Sequence, residues 1–276
     1  MATEAASPPA PAVRPPLHQS LAIQARVIGA LLMREIITRF GRDNVGMLWL
    51  FGEPMIFTIG VAALWTGMSA VGLRHGSSVP ITMFAVTGYS SVLMWRNTAS
   101  RCNSALQQNM GLLYHRNVRV IDVFLTRILL EAAAATMSFI FLSVLFIALE
   151  MGQPPVDLMR VVEGWLMLAW FACGLGMTMG AATSYSELVD RFWHPTSYIL
   201  FPLSGAAFMV EWLPKSMQDF VLLLPMVHGV EMLRDGYFGD VVRTHYDVFY
   251  LATVNLVLTF TGLVLMRGAT RQIEQR

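Results

Sequence analysis

Charge is what this sequence has least of. Only 13% of its 276 residues are Asp, Glu, Lys or Arg, while 55% are hydrophobic. Soluble globular chains carry roughly 25% charged residues, so there is too little polar surface here to clothe a soluble fold of this length. Lysine is nearly missing: of the 19 basic residues, all but Lys215 are arginine. The net charge of +1 leaves no basic field to attract nucleic acid. Cys102 and Cys173 are the two cysteines, both in or beside apolar stretches. That excludes a disulfide framework, and they read as small buried hydrophobes.

The equipment for catalysis is also missing. A phosphate-cradling loop needs Gly-Lys-Ser/Thr with an earlier glycine. Lys215 is followed by Ser216, but Pro214 precedes it and Met209 stands where the first glycine belongs. No Gly-x-Ser-x-Gly and no clustered carboxylate pair occurs. His228 and Glu231 are three apart and share a helix face, yet zinc wants three or four ligands. His18, His75, His115, His194 and His245 are scattered. The pair reads as polar groups hydrogen-bonded to their surroundings. The chain is not expected to be an enzyme by itself, nor to hold a metal or cofactor.

What the chain does have is six apolar runs, over 45–68, 76–95, 132–149, 164–186, 192–210 and 248–266. Only the first holds a charge, Glu53. A helix needs about 20 apolar residues to cross the ~30 Å hydrocarbon core, and lipid offers backbone groups no partners. The expectation is an all-α membrane protein with six transmembrane helices, at about 45–68, 80–102, 121–149, 160–186, 192–211 and 246–267. Together with a re-entrant segment they form one transmembrane domain over 43–270. The segment before the first run, the connections after runs two and four, and the C-terminus hold 14 of the basic residues, against 5 on the other side. The positive-inside rule then puts both termini in the cytoplasm. An even number of spans agrees.

The interruptions are more specific than the runs. Residues 1–16 are rich in Ala and Pro without a signal-peptide pattern, and read as a disordered cytoplasmic tail. Residues 271–276 read as a second tail. Residues 17–42 hold an apolar stretch too short to cross, followed by Arg34, Glu35, Arg39 and Arg42. They read as a helix at the cytoplasmic interface whose arginines snorkel to headgroups, or else as a soluble helix docking on another chain. Residues 103–120 are polar, then carry Leu112, Leu113 and Tyr114 before Arg116. That is a short helix able to press into a partner, or an ordinary loop. Residues 220–230 are apolar but too short to span, and Pro225 cuts them. They make 214–240 a re-entrant extracytoplasmic hairpin between spans five and six.

Glu53, followed by Pro54, is an intramembrane carboxylate at an expected kink, and reads as a packing or pairing residue rather than a relay. The tryptophans (Trp49, Trp65, Trp95, Trp165, Trp170, Trp193 and Trp212) fall mostly near span ends, as interfacial belts require. The alternative is a path of aromatic faces on which sugars slide.

These residues resemble a known family. The stretch Arg34-Glu35-Ile36-Ile37-Thr38-Arg39-Phe40-Gly41, then Gly46-Met47-Leu48-Trp49 and Glu53-Pro54, resembles the start of ABC-2 type permeases that export polysaccharides. So does Asn109-Met110-Gly111-Leu112-Leu113 with Arg116-Asn117-Val118, Ile121-Asp122, Arg127 and Leu130-Glu131. A third match is Pro225-Met226-Val227-His228-Gly229-Val230-Glu231 with Arg234. The likeness covers roughly residue 21 to the C-terminus and is strongest to the capsule polysaccharide branch. The Pro-rich start is longer than the family's. Leu224 stands where relatives often have Asn.

The resemblance implies a permease in the bacterial inner membrane, working as a homodimer with two cytoplasmic ATPase subunits that bind ATP and Mg. It also implies a periplasmic co-polymerase, an outer-membrane channel and a lipid-linked acidic polysaccharide as cargo. Coupling to the ATPase would fall to Asn109, Leu112, Leu113, Tyr114 and Arg116, with Glu187 and Arg191 in a smaller second element over 186–195. Arg34, Arg39, Arg42, Arg96 and Arg101 would gather the anionic cargo, and Trp49 would stack on its sugars. Alternatives are export of another glycopolymer, such as O-antigen or teichoic acid, or of a drug or lipid.

Overall fold

A computed structural model describes residues 17–40, 44–70, 79–113 and 118–274. Among the described residues every regular element is helical. In chain order they are α1 (Leu17–Phe40), α2 (Asn44–Ala70), α3 (Ile81–Asn103), α4 (Ala105–Leu113), α5 (Val120–Ala148), α6 (Leu158–Tyr185), α7 (Glu187–Leu203), α8 (Lys215–Val221), α9 (Pro225–Phe238) and α10 (Val248–Glu274). Among the described residues, three helical stretches are long and apolar enough to cross a membrane: Val120–Ala148, Leu158–Tyr185 and Val248–Arg271.

The second apolar run, now α3, is the hub. It packs against α6, α5 and α2, and Met83, Val86, Val92, Met94 and Trp95 are fully buried. A helix surrounded by protein need not be apolar all round. Its hydroxyls accordingly turn inward: Thr87, Ser91 and Thr98 donate to the carbonyls of Met83, Thr87 and Met94, four residues back. Helix α10 lies along α6, joined by polar contacts as well as apolar ones. Asn255 donates to Met167 O at 3.1 Å, Trp170 Nε1 to Thr259 at 3.0 Å and Tyr185 OH to Leu265 O at 2.9 Å.

The fifth run departs from expectation. A helix was expected over 192–211, but α7 starts at Glu187, one residue after α6, and stops at Leu203. Ser186 is the whole connection, and its hydroxyl accepts from Leu188 N. A separate coupling element over 186–195 therefore gives way to the first turns of α7 itself. At the other end Gly205 takes a positive φ of 81°, which breaks the helix. Residues 204–209 run irregularly into a 3-10 turn at Val210–Trp212. The 17 residues of α7, at about 1.5 Å each, fall short of the ~30 Å core.

The segment expected as a hairpin is two helices, α8 and α9, joined by Leu222–Leu224. Helix α9 packs between α6 and α3, with Val227, Val230 and Leu233 fully buried. It ends against the α5–α6 connection, where Val156 N donates to Tyr237 O and Asp157 N to Gly236 O. The molecule thus has two distinct ends. The α8–α9 hairpin, the start of α3 and the α5–α6 connection share one. Helix α4 and the α6–α7 connection share the other.

Candidate coupling and translocation sites

At the α4 end, α1, α4 and α5 meet through side chains distant in sequence. Leu32 and Ile36 of α1 pack on Leu130 and Ala134 of α5. That docking sets α1 beside α4. Arg34 NH1 then donates to Asn109 Oδ1 at 2.8 Å, and Asn109 Nδ2 donates back along α4 to Ala105 O. Gln24 Nε2 donates to Asp122 Oδ1 at 2.8 Å, while Asp122 Oδ2 accepts from Arg119 N at the start of α5. Arg127, 4% exposed, pairs with Glu35 of α1 at 3.0 Å and donates to Gln108 of α4 at 2.5 Å. One guanidinium on α5 therefore holds both α1 and α4. Its planar fork suits two partners at once.

The junction extends to α7. Asn103 Nδ2 donates to Asp190 Oδ1 at 3.1 Å, and Asn103 O accepts from Thr183 at 2.9 Å. The two segments named for coupling in the sequence are thus tied together. Arg191 and Glu187 pair with each other at 3.6 Å on an exposed surface, a contact worth about 0.3–0.5 kcal/mol. Leu113 packs against the apolar cluster of Phe124 and Ile128, and Leu112 is half-buried.

Of the residues named for a cargo path, the three with described side chains each meet a different helix. Arg34 is held by Asn109 rather than reaching for headgroups. Arg101 pairs with Glu131 of α5 at 3.6 Å. Arg96 lies over the Tyr198 ring of α7, 4.4 Å from its centroid. Arg42, Tyr114 and Arg116 lie outside the described residues, as do the side chains of Arg39, Trp49, Glu53 and Pro54. The backbone of α2 is helical through Glu53 and Pro54.

At the hairpin end, α9 presents three polar side chains spaced by three. His228 Nε2 donates to Leu222 O at 2.7 Å, and its Nδ1 accepts from Asp247 N at 2.9 Å. Both ring nitrogens are therefore used, and the ring ties α8 to the start of α10. Glu231, fully buried, accepts from Val210 N at 3.1 Å and from His245 N at 3.0 Å. Arg234, also fully buried, donates to the carbonyls of Gly205 at 2.6 Å, Ala206 at 2.7 Å and Phe208 at 2.7 Å. Its guanidinium lies over the Phe84 ring at 3.8 Å. Arg234 thus takes the carbonyls released where α7 breaks, and Glu231 takes the N–H just beyond. Gly88 of α3 makes room: a Cβ there would strike Ala206 O and the Arg234 guanidinium.

Beside this core, His245 Nε2 lies 2.6 Å from Glu211 Oε2, both about 40% exposed. That hydrogen bond holds the Glu211 carboxyl below its ordinary 4.5, with Arg243 nearby adding to the effect. A lowered carboxyl contributes its contact above the ordinary range and loses it only as pH falls through the lowered value.

Arg127, Glu35, Gln108, Asn103 and Asp190 carry the α4 junction, yet composition and spacing do not single them out. One signal is present: Arg127 and Glu131 are ionisable groups inside α5, a helix long and apolar enough to cross a membrane.

The family model for ABC-2 type transporters matches residues 26–238, which takes in Arg34, Asn109 and Arg127 at one end and His228, Glu231 and Arg234 at the other. The chain belongs to the ABC-2 type transporter family. It is 43% identical to the capsule polysaccharide export inner-membrane protein CtrC of Neisseria meningitidis serogroup B over 256 residues, which are 93% of this chain and 96% of that one. It is 41% identical, with the same coverage, to the capsule polysaccharide export inner-membrane protein BexB of Haemophilus influenzae. Similarity to the polysialic acid transport protein KpsM of Escherichia coli is 25% over 248 residues, 89% of this chain and 94% of that one. ABC-2 membership accords with a chain that has no phosphate-cradling loop of its own.

Proposed function

We propose that this chain is the membrane-spanning permease of an ATP-driven exporter moving an acidic, lipid-linked capsular polysaccharide across the bacterial inner membrane. The observation that carries this is the 43% identity to a capsule polysaccharide export protein over 96% of that protein's length. In this reading six segments cross: α2, α3, α5, α6, α7 with its irregular extension, and α10. Both termini are cytoplasmic, the α4 end faces the cytoplasm, and the α8–α9 hairpin re-enters the outer half of the bilayer. Two copies pair with two ATPase subunits that bind ATP and Mg. A periplasmic co-polymerase and an outer-membrane channel continue the path.

The mechanism begins at α4. A partner ATPase pushing on Asn109, Leu112, Leu113 and their neighbours moves α4. Arg127 and Arg34 transmit that displacement to α5 and α1, and Asn103–Asp190 transmits it to α7. Rigid helices joined by buried polar contacts move as units rather than bending. Arg96 and Arg101, with Arg39 and Arg42, draw in the anionic cargo. Trp49 offers an aromatic face to its sugars. Outward movement of an anion is favoured by about 2.3 kcal/mol per charge at 100 mV, inside negative, so ATP is needed chiefly for opening and dehydration.

The test is deletion of this chain in its own cells. Polymer should vanish from the cell surface and accumulate inside, with synthesis intact, and return of the chain should restore the surface polymer. Unchanged surface polymer would refute the reading.

A further inference from the structure

The hairpin end holds a cavity of about 240 Å³ that the coupling scheme does not use. Its wall is apolar where Val79, Met209 and Val242 line it, and its rim carries Trp212, Glu211 and Arg243. We infer that this cavity is an exit-side subsite for one acidic sugar residue of the exported polymer, with Trp212 as stacking platform and Arg243 as the anion contact. The inference rests on the polysaccharide-export reading above.

Size comes first. The volume is below the ~300–1,000 Å³ typical of drug-sized sites. It takes a single ring rather than a length of chain or a lipid tail, as suits a polymer that must keep moving. Rigidity comes second. Trp212 stacks on Phe84, centroids 5.1 Å apart at 26°, and Phe84 is itself held under the Arg234 guanidinium at 3.8 Å. Trp212 still exposes 46% of its surface. A platform fixed from behind loses little entropy when a ring settles on it, and the C–H face of a pyranose meets the electron-rich face of an indole. Charge comes third. Arg243 is exposed at the rim, and a guanidinium fork matches a carboxylate or phosphodiester. Glu211 shares the rim, its Oε2 hydrogen-bonded to His245. Oε1 can accept from a sugar hydroxyl.

The position fits as well. The cavity joins the start of α3, the segment after the α7 break and the stretch following α9. That is the end opposite α4, where the cargo emerges.

The experiment uses the full chain in lipid nanodiscs with Val241→Cys as reporter. Val241 lines the cavity, is 57% exposed and carries no part of the proposed contacts. Labelling by a membrane-impermeant maleimide is timed with and without a hyaluronan tetrasaccharide, with neutral maltotetraose as control. The expected result is at least threefold slower labelling with the acidic sugar and little change with the neutral one. Adding R243Q should abolish the difference between the sugars, and R243K should retain part of it. W212A should remove protection by the acidic sugar, and W212F should restore it. Equal labelling rates with and without the acidic sugar would overturn the subsite, as would protection unaltered by R243Q and W212A. Slowing by a periplasmic extract alone would mark the cavity as a protein-docking site instead and equally overturn it. Surface polymer in cells carrying the V241C chain is scored in parallel. Normal export without protection sinks only the subsite, whereas no export by the wild-type chain sinks the export reading.

Discussion

Arg234 shows how much a single residue organises here. Its charge sits fully buried, and its partners are backbone carbonyls of a helix that has come apart. Removing the guanidinium leaves several carbonyls without donors at about 1–3 kcal/mol each. Arg234→Ala is therefore expected to destabilise the hairpin end by ~3 kcal/mol or more. Arg234→Lys should recover only part, since one ammonium cannot span three carbonyls. Thermal unfolding of the purified protein in detergent checks this; an unchanged midpoint for Arg234→Ala would contradict it. The role was only partly readable in the sequence. The three-residue spacing of His228 and Glu231 marked a shared face, but Arg234 entered only through family resemblance. Its partners lie 26–29 residues away, where no local pattern reaches.

At the scale of elements, α4 is short and is held in place by its ties to α1 and α5. Arg34 and Asn109 were assigned separate tasks in the sequence, cargo for one and coupling for the other, yet the structure joins them across 75 residues. Their bond makes a discriminating prediction. If Arg34 acts through Asn109, then Arg34→Ala and Asn109→Ala should each lower polymer export by a similar factor while ATP hydrolysis continues. The double variant should be no worse than either single one. Parallel measurement of export and ATPase rate in the intact complex reads this. Additive losses, or an export loss that tracks polymer charge for Arg34→Ala alone, would return Arg34 to the cargo path. The helices themselves were legible in unequal degree. Helices α5 and α6 follow the spans expected over 121–149 and 160–186 closely, and α10 starts within two residues of its own, because an apolar stretch of that length has few alternatives in lipid. The end of α7 was not legible. Its apolar composition continues to Val210, but Gly205 and the distant Arg234 stop the helix at Leu203.

For the whole molecule, polarity of composition and polarity of position disagree in an instructive way. Helix α3 is among the most buried elements and carries many hydroxyls, of which Thr87, Ser91 and Thr98 turn to its own backbone, so hydropathy alone undervalues it. The exposed apolar side chains instead gather on helices such as α5 and α10, where Phe141, Val144, Phe260 and Val264 face outward. That is an inside-out arrangement suited to lipid. The two ends differ in kind. One joins α1, α4 and α5 through polar side chains, and the other secures a broken helix beside a cavity rimmed by Trp212. In the proposed export cycle the first end would receive the push and the second would release the cargo.

Inverted inner-membrane vesicles test that account most directly. Their outer face is the cytoplasmic one, so export becomes movement into the lumen. Vesicles containing this chain and its ATPase partner, given lipid-linked radiolabelled polymer, should render that polymer resistant to added glycosidase when ATP is supplied. No protection should develop without ATP or without the chain. Equal protection in vesicles lacking this chain, or protection independent of ATP, would contradict it.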